Sequence, residues 1–139
     1  MRDGFDEYAR RMPRDMSLDV IEIPAPKHHG ERGRFKQEEG RKMAGKLRET
    51  DWVVALDENG SMVTSTELAA KIDRWRGQGR NVAFLIGGSD GLSESMLARA
   101  DERLSLSALT LPHYVVRVIL AEALYRAWSI SAGHPYHRA

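Results

Sequence analysis

Cysteine is absent from the 139 residues of the sequence, which excludes disulfide bonds, thiolate metal sites and a cysteine nucleophile. No apolar run approaches the roughly 18 residues that a membrane span requires, and the N-terminus has no apolar signal core. The formal net charge is only +1, which argues against binding nucleic acid through a large basic field. We therefore expect a cytoplasmic protein without membrane contacts. The small net charge does not exclude an enzyme that recognises RNA by its shape.

The composition is that of a folded chain, with 42% apolar and 29% charged residues. A chain of this length can bury on the order of two thirds of its unfolded surface, enough for one core. The sequence contains no internal repeat or low-complexity tract. These features predict a single domain over residues 1–139.

Short apolar runs alternate with helical patterns along the chain. Strands are predicted over residues 18–23, 52–56 and 82–86, and a strand or loop without any charge over residues 104–111. Helices are predicted at residues 3–12, at residues 35–47, from Ser93, and from Pro112 to about Ser131. Another helix is predicted to begin at the capping box of Thr64 and Glu67 and to end at Gly79. Residues 27–34 are predicted to form a polar basic loop, in which His28 and His29 are solvated.

The predicted strands are apolar on both faces, which is typical of an α/β fold with a mostly parallel sheet and helices on both faces. In such sheets the ligand lies beyond the carboxyl ends of the strands. Two segments at strand ends are therefore candidates for a binding site. They are Gly87-Gly88-Ser89-Asp90-Gly91 and Leu106-Ser107-Ala108-Leu109-Thr110-Leu111-Pro112-His113.

Each segment has two interpretations. Glycines after a strand let a ligand approach the backbone, but they also make a tight strand-to-helix turn, and the sequence favours neither. The uncharged segment suits a pocket for an adenine, with backbone groups reading the base edge and leucines on its faces. Considered alone, it is better explained as a buried strand leading into a helix.

The last helix is apolar around much of its circumference, so we expect it to be buried in the core or against a second subunit. Its exceptions are Arg117, Glu122 and Arg126. Glu122 and Arg126 have the i, i+4 spacing of an ion pair. Half-buried arginines are held by a carboxylate or a phosphate. The sequence does not decide which of these two partners Arg117 and Arg126 have.

The C-terminal tail, residues 133–139, contains His134, Tyr136, His137 and Arg138. The histidines titrate near neutral pH, which suits proton transfer or contact with a substrate. A disordered tail is the alternative. No metal site is expected, because no cysteine or carboxylate cluster accompanies the histidines.

Six segments carry a resemblance that covers nearly the whole chain. They are Glu7-Tyr8 with Arg10-Arg11 and Pro13, Ile21-Glu22-Ile23-Pro24, Ile86-Gly87-Gly88, Leu104 to His113, Leu124-Tyr125-Arg126-Ala127-Trp128-Ser129-Ile130, and His134-Pro135-Tyr136-His137. In this order they resemble the RlmH family, SPOUT-class methyltransferases that modify a pseudouridine of bacterial 23S rRNA.

The resemblance implies a SPOUT (α/β knot) fold with a C-terminal trefoil knot that binds S-adenosylmethionine, and a cytoplasmic homodimer with active sites at the subunit interface. It implies methylation of N3 of a pseudouridine, of the 1915 type, in the 23S rRNA of assembled ribosomes. The implied cofactor-binding residues are Leu56, Gly87, Leu106, Ser107, Ala108, Leu109, Thr110 and Leu111. The implied catalytic or RNA-facing residues are Arg126, Tyr136, His137 and Arg138, with His113 a weaker candidate.

The sequence departs from the family pattern in three places. It has no strand before the helix near Asp3, so we expect one strand fewer and an exposed sheet edge. Residues 27–34 lack the usual Gly-Lys-Asn pattern, and residues 57–66 diverge. The alternatives are a non-catalytic shortened relative that binds the cofactor or the ribosome, and a SPOUT enzyme acting on tRNA, which fits the pocket but not the tail.

Overall fold

The structure is a computed structural model that describes residues 2–23, 32–88 and 91–138. The histidines predicted to be solvated, His28 and His29, and two residues of the candidate glycine segment, Ser89 and Asp90, lie outside these residues. The helices are α1 (Arg2–Ala9), α2 (Arg32–Ala44), α3 (Ser65–Gln78), α4 (Glu94–Arg99) and α5 (His113–Ala132). The strands are β1 (Trp52–Met62), β2 (Val82–Ile86) and β3 (Glu102–Ser105). Short 3-10 turns cover Arg14–Met16 and Pro135–Arg138.

The strands form a three-stranded parallel sheet in the order β2-β1-β3. Leu56 of the central strand pairs with Ile86 on one side and with Leu104 on the other. Parallel strands that follow one another in the chain need a crossover connection, and here α3 connects β1 to β2 and α4 connects β2 to β3. The predicted α/β fold with a parallel sheet is confirmed.

Alternate residues of β1 face opposite sides of the sheet, as the period of a strand requires. Val54 packs on one side against apolar residues of α3 and α5, whereas Val53 and Ala55 pack on the other side against α2 and α4. All three are fully buried. Helices therefore cover both faces, which explains why the strands contain apolar residues at every position.

Strand β1 extends further than the predicted end at Leu56. Its pairing with β3 shifts register between Leu56 and Ser61, and residues 57–60 leave the ladder between these points. Gly60 returns the chain so closely to β3 that a Cβ there would lie 2.8 Å from the carbonyl carbon of Arg103. The turn composition of residues 57–60 thus makes a bulge within the strand.

The predicted strand at residues 18–23 is wrong. Leu18 packs into the cluster on one face of the sheet and Ile23 into the cluster on the other. The segment therefore passes from one face to the other and cannot run in register beside a strand. Val20 and Ile21, between these anchors, are exposed.

The predicted helices are present, with shifted ends. Thr64 and Glu67 form the expected capping box, and Ser93 caps α4. Helix α3 ends at Gly79 (φ 67°) and α5 at Gly133 (φ 70°), both left-handed. Helix α1 ends at Ala9, and 3-10 turns continue the chain to Met12. Helix α2 begins at Arg32, within the predicted loop, and ends at Ala44. Pro112 is the N-cap of α5. No helix among the described residues is both long and apolar enough to cross a membrane.

Candidate functional site

Three parallel strand segments reach the same edge of the sheet, which we call the carboxyl edge. Ile86, Leu56 and Leu104 lie side by side there, in this order. Since neighbouring strands lie about 4.8 Å apart, the loops that follow β2 and β3 start roughly 10 Å apart, on either side of Leu56. The described residues Gly87, Gly88 and Gly91 (the glycine turn) and residues 106–111 (the leucine segment) therefore follow strands that end at the same edge.

The glycine turn folds tightly onto its own backbone. A Cβ at Gly87 would lie 2.5 Å from the carbonyl carbon of Gly91 and 2.8 Å from the amide nitrogen of Leu92. The amide of Gly91 donates to the Gly88 carbonyl at 3.0 Å, and Gly91 has φ 78°. Glycine is thus required by the turn itself, which supports the tight-turn interpretation and leaves the approach of a ligand as a prediction.

Helix α2 is held against this turn by two neighbouring residues. The Gly88 amide donates to Glu39 Oε1 at 3.2 Å. Gly40 is buried against Ser93, whose Oγ would lie 2.3 Å from a Cβ at position 40. Sequence analysis missed Glu39, because a glutamate in a charged helix carries no signal for a partner so distant in the chain.

The leucine segment begins where β3 ends, at Ser105, and has no regular secondary structure. Its interpretation as a buried strand is therefore wrong, since Ala108, Leu109 and Thr110 are exposed. Two hydrogen bonds shape it, one within the segment and one to a residue of β1. The Leu109 amide donates to Ser107 Oγ at 3.0 Å, and the Thr110 hydroxyl donates to Glu58 at 3.1 Å. Peptide groups outside any ladder, beside leucine side chains, have the donor set that an adenosine requires.

The tail folds back onto α5 through aromatic contacts, which favours an ordered tail over the disordered alternative. The ring of Tyr136 lies 4.7 Å from the ring of the buried Tyr125. Trp128 stacks on Tyr125 at 5.5 Å, and His134 lies 5.7 Å from Trp128. These contacts fix residues 134–138 on the C-terminal half of the helix.

Glu122 links two predicted site residues. Its Oε1 accepts hydrogen bonds from Arg126 Nε at 2.9 Å and from the Tyr136 hydroxyl at 3.1 Å. Arg126 also lies over the Tyr136 ring, 5.1 Å from its centroid. The i, i+4 pair of Glu122 and Arg126 is confirmed, and Arg117 pairs with a carboxylate, Glu22, at 3.1 Å.

The surroundings of Tyr136 keep its hydroxyl protonated. Burial raises its pKa well above the usual range, and the hydrogen bonds with Tyr8 and Glu122 raise it further. The hydrogen bond to Glu122 raises the pKa of Arg126, which stays cationic. At neutral pH Tyr136 is therefore a donor, and it is a poor candidate for a base.

His137 and Arg138 complete the predicted catalytic group. His137 is half-buried, with Nδ1 3.1 Å from Ser129 Oγ, and Arg138 is exposed. The structure thus gathers Arg126, Tyr136 and His137 at one end of α5. Among the described residues, no three histidine, aspartate or glutamate side chains are grouped as a metal site.

The tail and the leucine segment of one chain are far apart. The segment precedes α5 at His113, and Arg126 follows along the same helix at a distance of roughly 20 Å, from a rise of 1.5 Å per residue. His113 is exposed beside the leucine segment. Along α5, the predicted catalytic residues therefore lie well away from the point where the leucine segment ends.

A separate groove lies between α1 and the beginning of α5. Its lining includes Asp6, Asp19 and Glu22 together with Tyr114 and Arg117. The groove contains none of the residues that the resemblance implies for the cofactor. The carboxyl edge stays the predicted cofactor site.

A charged cluster at the opposite edge of the sheet was missed by sequence analysis. Glu102 Oε1 accepts from the indoles of Trp52 at 2.9 Å and Trp75 at 2.8 Å, while Oε2 pairs with Lys71 at 2.7 Å. Burial alone raises the pKa of Glu102, but the hydrogen bonds from Lys71 and both tryptophans outweigh it and lower the pKa. This cluster joins β1, β3 and α3, and its role is structural.

The comparisons with known proteins agree with this architecture. The family described as predicted SPOUT methyltransferase matches residues 1–137, so the chain belongs to the SPOUT methyltransferases. The chain is similar to the ribosomal RNA large subunit methyltransferase H of Chromohalobacter salexigens, at 51% identity over 97% of this chain and 88% of that protein. The proteins of the same name from Hahella chejuensis and Pseudomonas fluorescens are 49% and 41% identical, each over 99% of this chain and 90% of the relative. The resemblance stated from the sequence is confirmed.

Proposed function

We propose that this chain is an S-adenosylmethionine-dependent rRNA methyltransferase that methylates N3 of a pseudouridine in the 23S rRNA of assembled ribosomes. Residues 1–139 form one SPOUT domain in this proposal, and the protein acts in the cytoplasm. The observation that supports the proposal is that the glycine turn and the leucine segment follow the two strands on either side of Leu56, at the carboxyl edge. The names of the relatives support the rRNA substrate.

The cofactor site proposed here fits the donor set of this edge. Leucine side chains at positions 56, 106 and 109 offer apolar faces for the adenine, and peptide groups of the leucine segment offer hydrogen bonds to its edge. When bound, S-adenosylmethionine supplies an electrophilic methyl group on a sulfonium. The trefoil knot that the resemblance implies would enclose this site.

The tail supplies groups for the other half of the reaction. The N3 nitrogen of pseudouridine must lose its proton before its lone pair attacks the methyl carbon. The carbon–sulfur bond then breaks and its electron pair stays on sulfur. We assign the proton to His137, because Tyr136 stays protonated. Arg138 and Arg126 are the cations that stabilise the developing anion.

A second copy of the chain completes the site in this proposal. Arg126 lies roughly 20 Å along α5 from His113, where the leucine segment leads into the helix. We infer from this spacing that the two halves of one site come from different chains. In the proposed homodimer, the tail of one subunit meets the leucine segment of the other, so that the proton-accepting group and the cofactor site come together. The half-buried valines and isoleucine near the start of α5 offer apolar surface for this contact.

Methylation of ribosomes tests the proposal. Purified protein, radiolabelled S-adenosylmethionine and ribosomes from a strain lacking this methylation should give label at one pseudouridine, and naked rRNA should bind weakly. Tight, salt-insensitive binding to isolated fragments would contradict the expected preference for assembled ribosomes over naked RNA. Protein that binds S-adenosylmethionine but never methylates ribosomes would instead support the non-catalytic relative.

The His137→Ala variant tests the assignment of the base. A lost general base typically slows turnover by about 10²- to 10⁴-fold. S-adenosylmethionine affinity should stay nearly intact, because the proposal assigns His137 to the proton of the RNA base and the cofactor contacts to the carboxyl edge. Equal loss of turnover and cofactor affinity would show that the tail is only structural.

A further inference from the structure

The two histidines of the tail make opposite hydrogen bonds through the same ring nitrogen. His134 Nδ1 lies 3.2 Å from the amide nitrogen of Tyr136, which is a donor. His137 Nδ1 lies 3.1 Å from Ser129 Oγ, which can donate or accept. The direction of this second bond decides which nitrogen of His137 carries the ring proton.

The surroundings of Ser129 settle that direction. Ser129 is fully buried, and its hydroxyl donates to the Arg126 carbonyl at 2.7 Å. This is the usual back-bond of a helical serine to the preceding turn. A hydroxyl has a single proton. With that proton used, Ser129 Oγ can only accept, so Nδ1 of the neutral His137 ring must donate.

We propose that Ser129 is a positioning residue that holds His137 as the Nδ1–H tautomer, with the lone pair on Nε2. The tautomer is assigned from the hydrogen-bond network. Nε2 makes no hydrogen bond to any of the described residues. This inference rests on the proposed function, in which His137 accepts the N3 proton, and it identifies Nε2 as the accepting atom.

The same reasoning separates the two histidines. His134 uses the lone pair of Nδ1 to accept from the Tyr136 amide, so its proton is on Nε2. Its ring also packs on Trp128. A neutral His134 therefore has no free lone pair to offer a substrate, whereas His137 does. One serine hydroxyl thus determines which tail histidine serves as the base.

The tautomers can be read directly by NMR. In wild-type protein labelled with ¹⁵N-histidine, long-range ¹H–¹⁵N correlations distinguish the two neutral tautomers. We expect His137 as Nδ1–H and His134 as Nε2–H. The Nε2–H form at His137 would overturn the proposal, and no activity is needed for this measurement.

A matched pair of serine variants tests the cause. Ser129→Ala removes the acceptor, and Ser131→Ala changes an exposed serine on the same helix whose hydroxyl donates to Asp73. Loss of a hydrogen bond of ordinary strength should lower the Nδ1–H to Nε2–H ratio of His137 about fivefold in Ser129→Ala. His134 serves as the internal control and should keep its signals. An unchanged ratio in Ser129→Ala, or an equal shift in Ser131→Ala, would overturn the proposal.

Turnover on ribosomes links the tautomer to the reaction. In Ser129→Ala, kcat should fall by about the same factor as the Nδ1–H population, with unchanged affinity for S-adenosylmethionine. If wild-type protein methylates nothing, the proposed function fails while the NMR result still judges the tautomer. A shifted tautomer with unchanged kcat would overturn Nε2 of His137 as the accepting atom.

Discussion

The variant Gly87→Ala places one methyl group into the tightest contact of the glycine turn. A Cβ at this position would lie 2.5 Å from the Gly91 carbonyl carbon, whereas real Cβ contacts stay above 3.0 Å, so the turn has to open by about half an ångström. Overpacking of this kind costs about 1–3 kcal/mol. For a domain of this size we expect Tm to fall by about 3–10 °C.

The same displacement should lower the affinity for the methyl donor, because the turn forms one wall of the proposed site. If the donor requires the undistorted turn, the same 1–3 kcal/mol corresponds to about a 5- to 150-fold increase in Kd, measured by titration calorimetry. Gly77→Ala is the matched control, since Gly77 lies in α3 and a Cβ there meets nothing within 4 Å. This control should raise the free energy of unfolding by about 0.5–1 kcal/mol and leave Kd unchanged. A Gly87→Ala protein with wild-type Tm and wild-type Kd would refute the reasoning.

Three further predictions concern the charged groups. Because the pKa of Glu102 is lowered in the folded protein, its stabilisation is complete above its unfolded pKa and is lost as pH falls through the folded value. Urea unfolding of Glu102→Gln should show a loss of about 1–3 kcal/mol at pH 7 that shrinks in acid, and a constant difference would contradict the cluster. Ultraviolet titration of the wild type should show a phenol that ionises above the ordinary range of tyrosine and is missing from Tyr136→Phe, and identical curves would be incompatible with the raised pKa. Glu122→Gln, which keeps the size but loses the charge of the acceptor, should release Arg126 and slow turnover while cofactor affinity stays constant. Equal loss of both would argue that Glu122 only holds the fold.

The elements that could be predicted are those whose own residues determine them. Residues 82–86 form the predicted strand because apolar side chains at every position require helices on both faces. The capping box at Thr64 and the glycine at position 133 end their helices through local hydrogen bonds and backbone angles. Such signals lie within a few residues, so one sequence suffices to read them.

The features that could not be predicted depend on distant partners. Residues 18–23 have the apolar character of a strand, but their two ends are anchored on opposite faces of the sheet. Glu39 meets Gly88, and Glu102 meets Trp52 and Trp75, across long stretches of chain that no periodicity connects. The docking of the tail likewise depends on a ring cluster around Tyr125 that only the fold assembles.

The candidate site was predicted in part. The carboxyl edge follows from strand order, and the two loops beside Leu56 lie where a parallel sheet requires. The roles of individual residues in those loops came from the family resemblance and stay predictions. The structure adds the separation between the tail and the leucine segment, which a single sequence cannot reveal because it depends on which end of α5 each loop occupies.

A crystal structure of the protein with S-adenosylmethionine tests the central claim most directly. We expect the adenosine between the glycine turn and residues 106–111, with its base beside Leu56 and the tail of a second subunit near the methyl group. Density for the adenosine in the groove beside Tyr114 and Arg117, or crystals in which saturating donor leaves the carboxyl edge empty, would contradict the account.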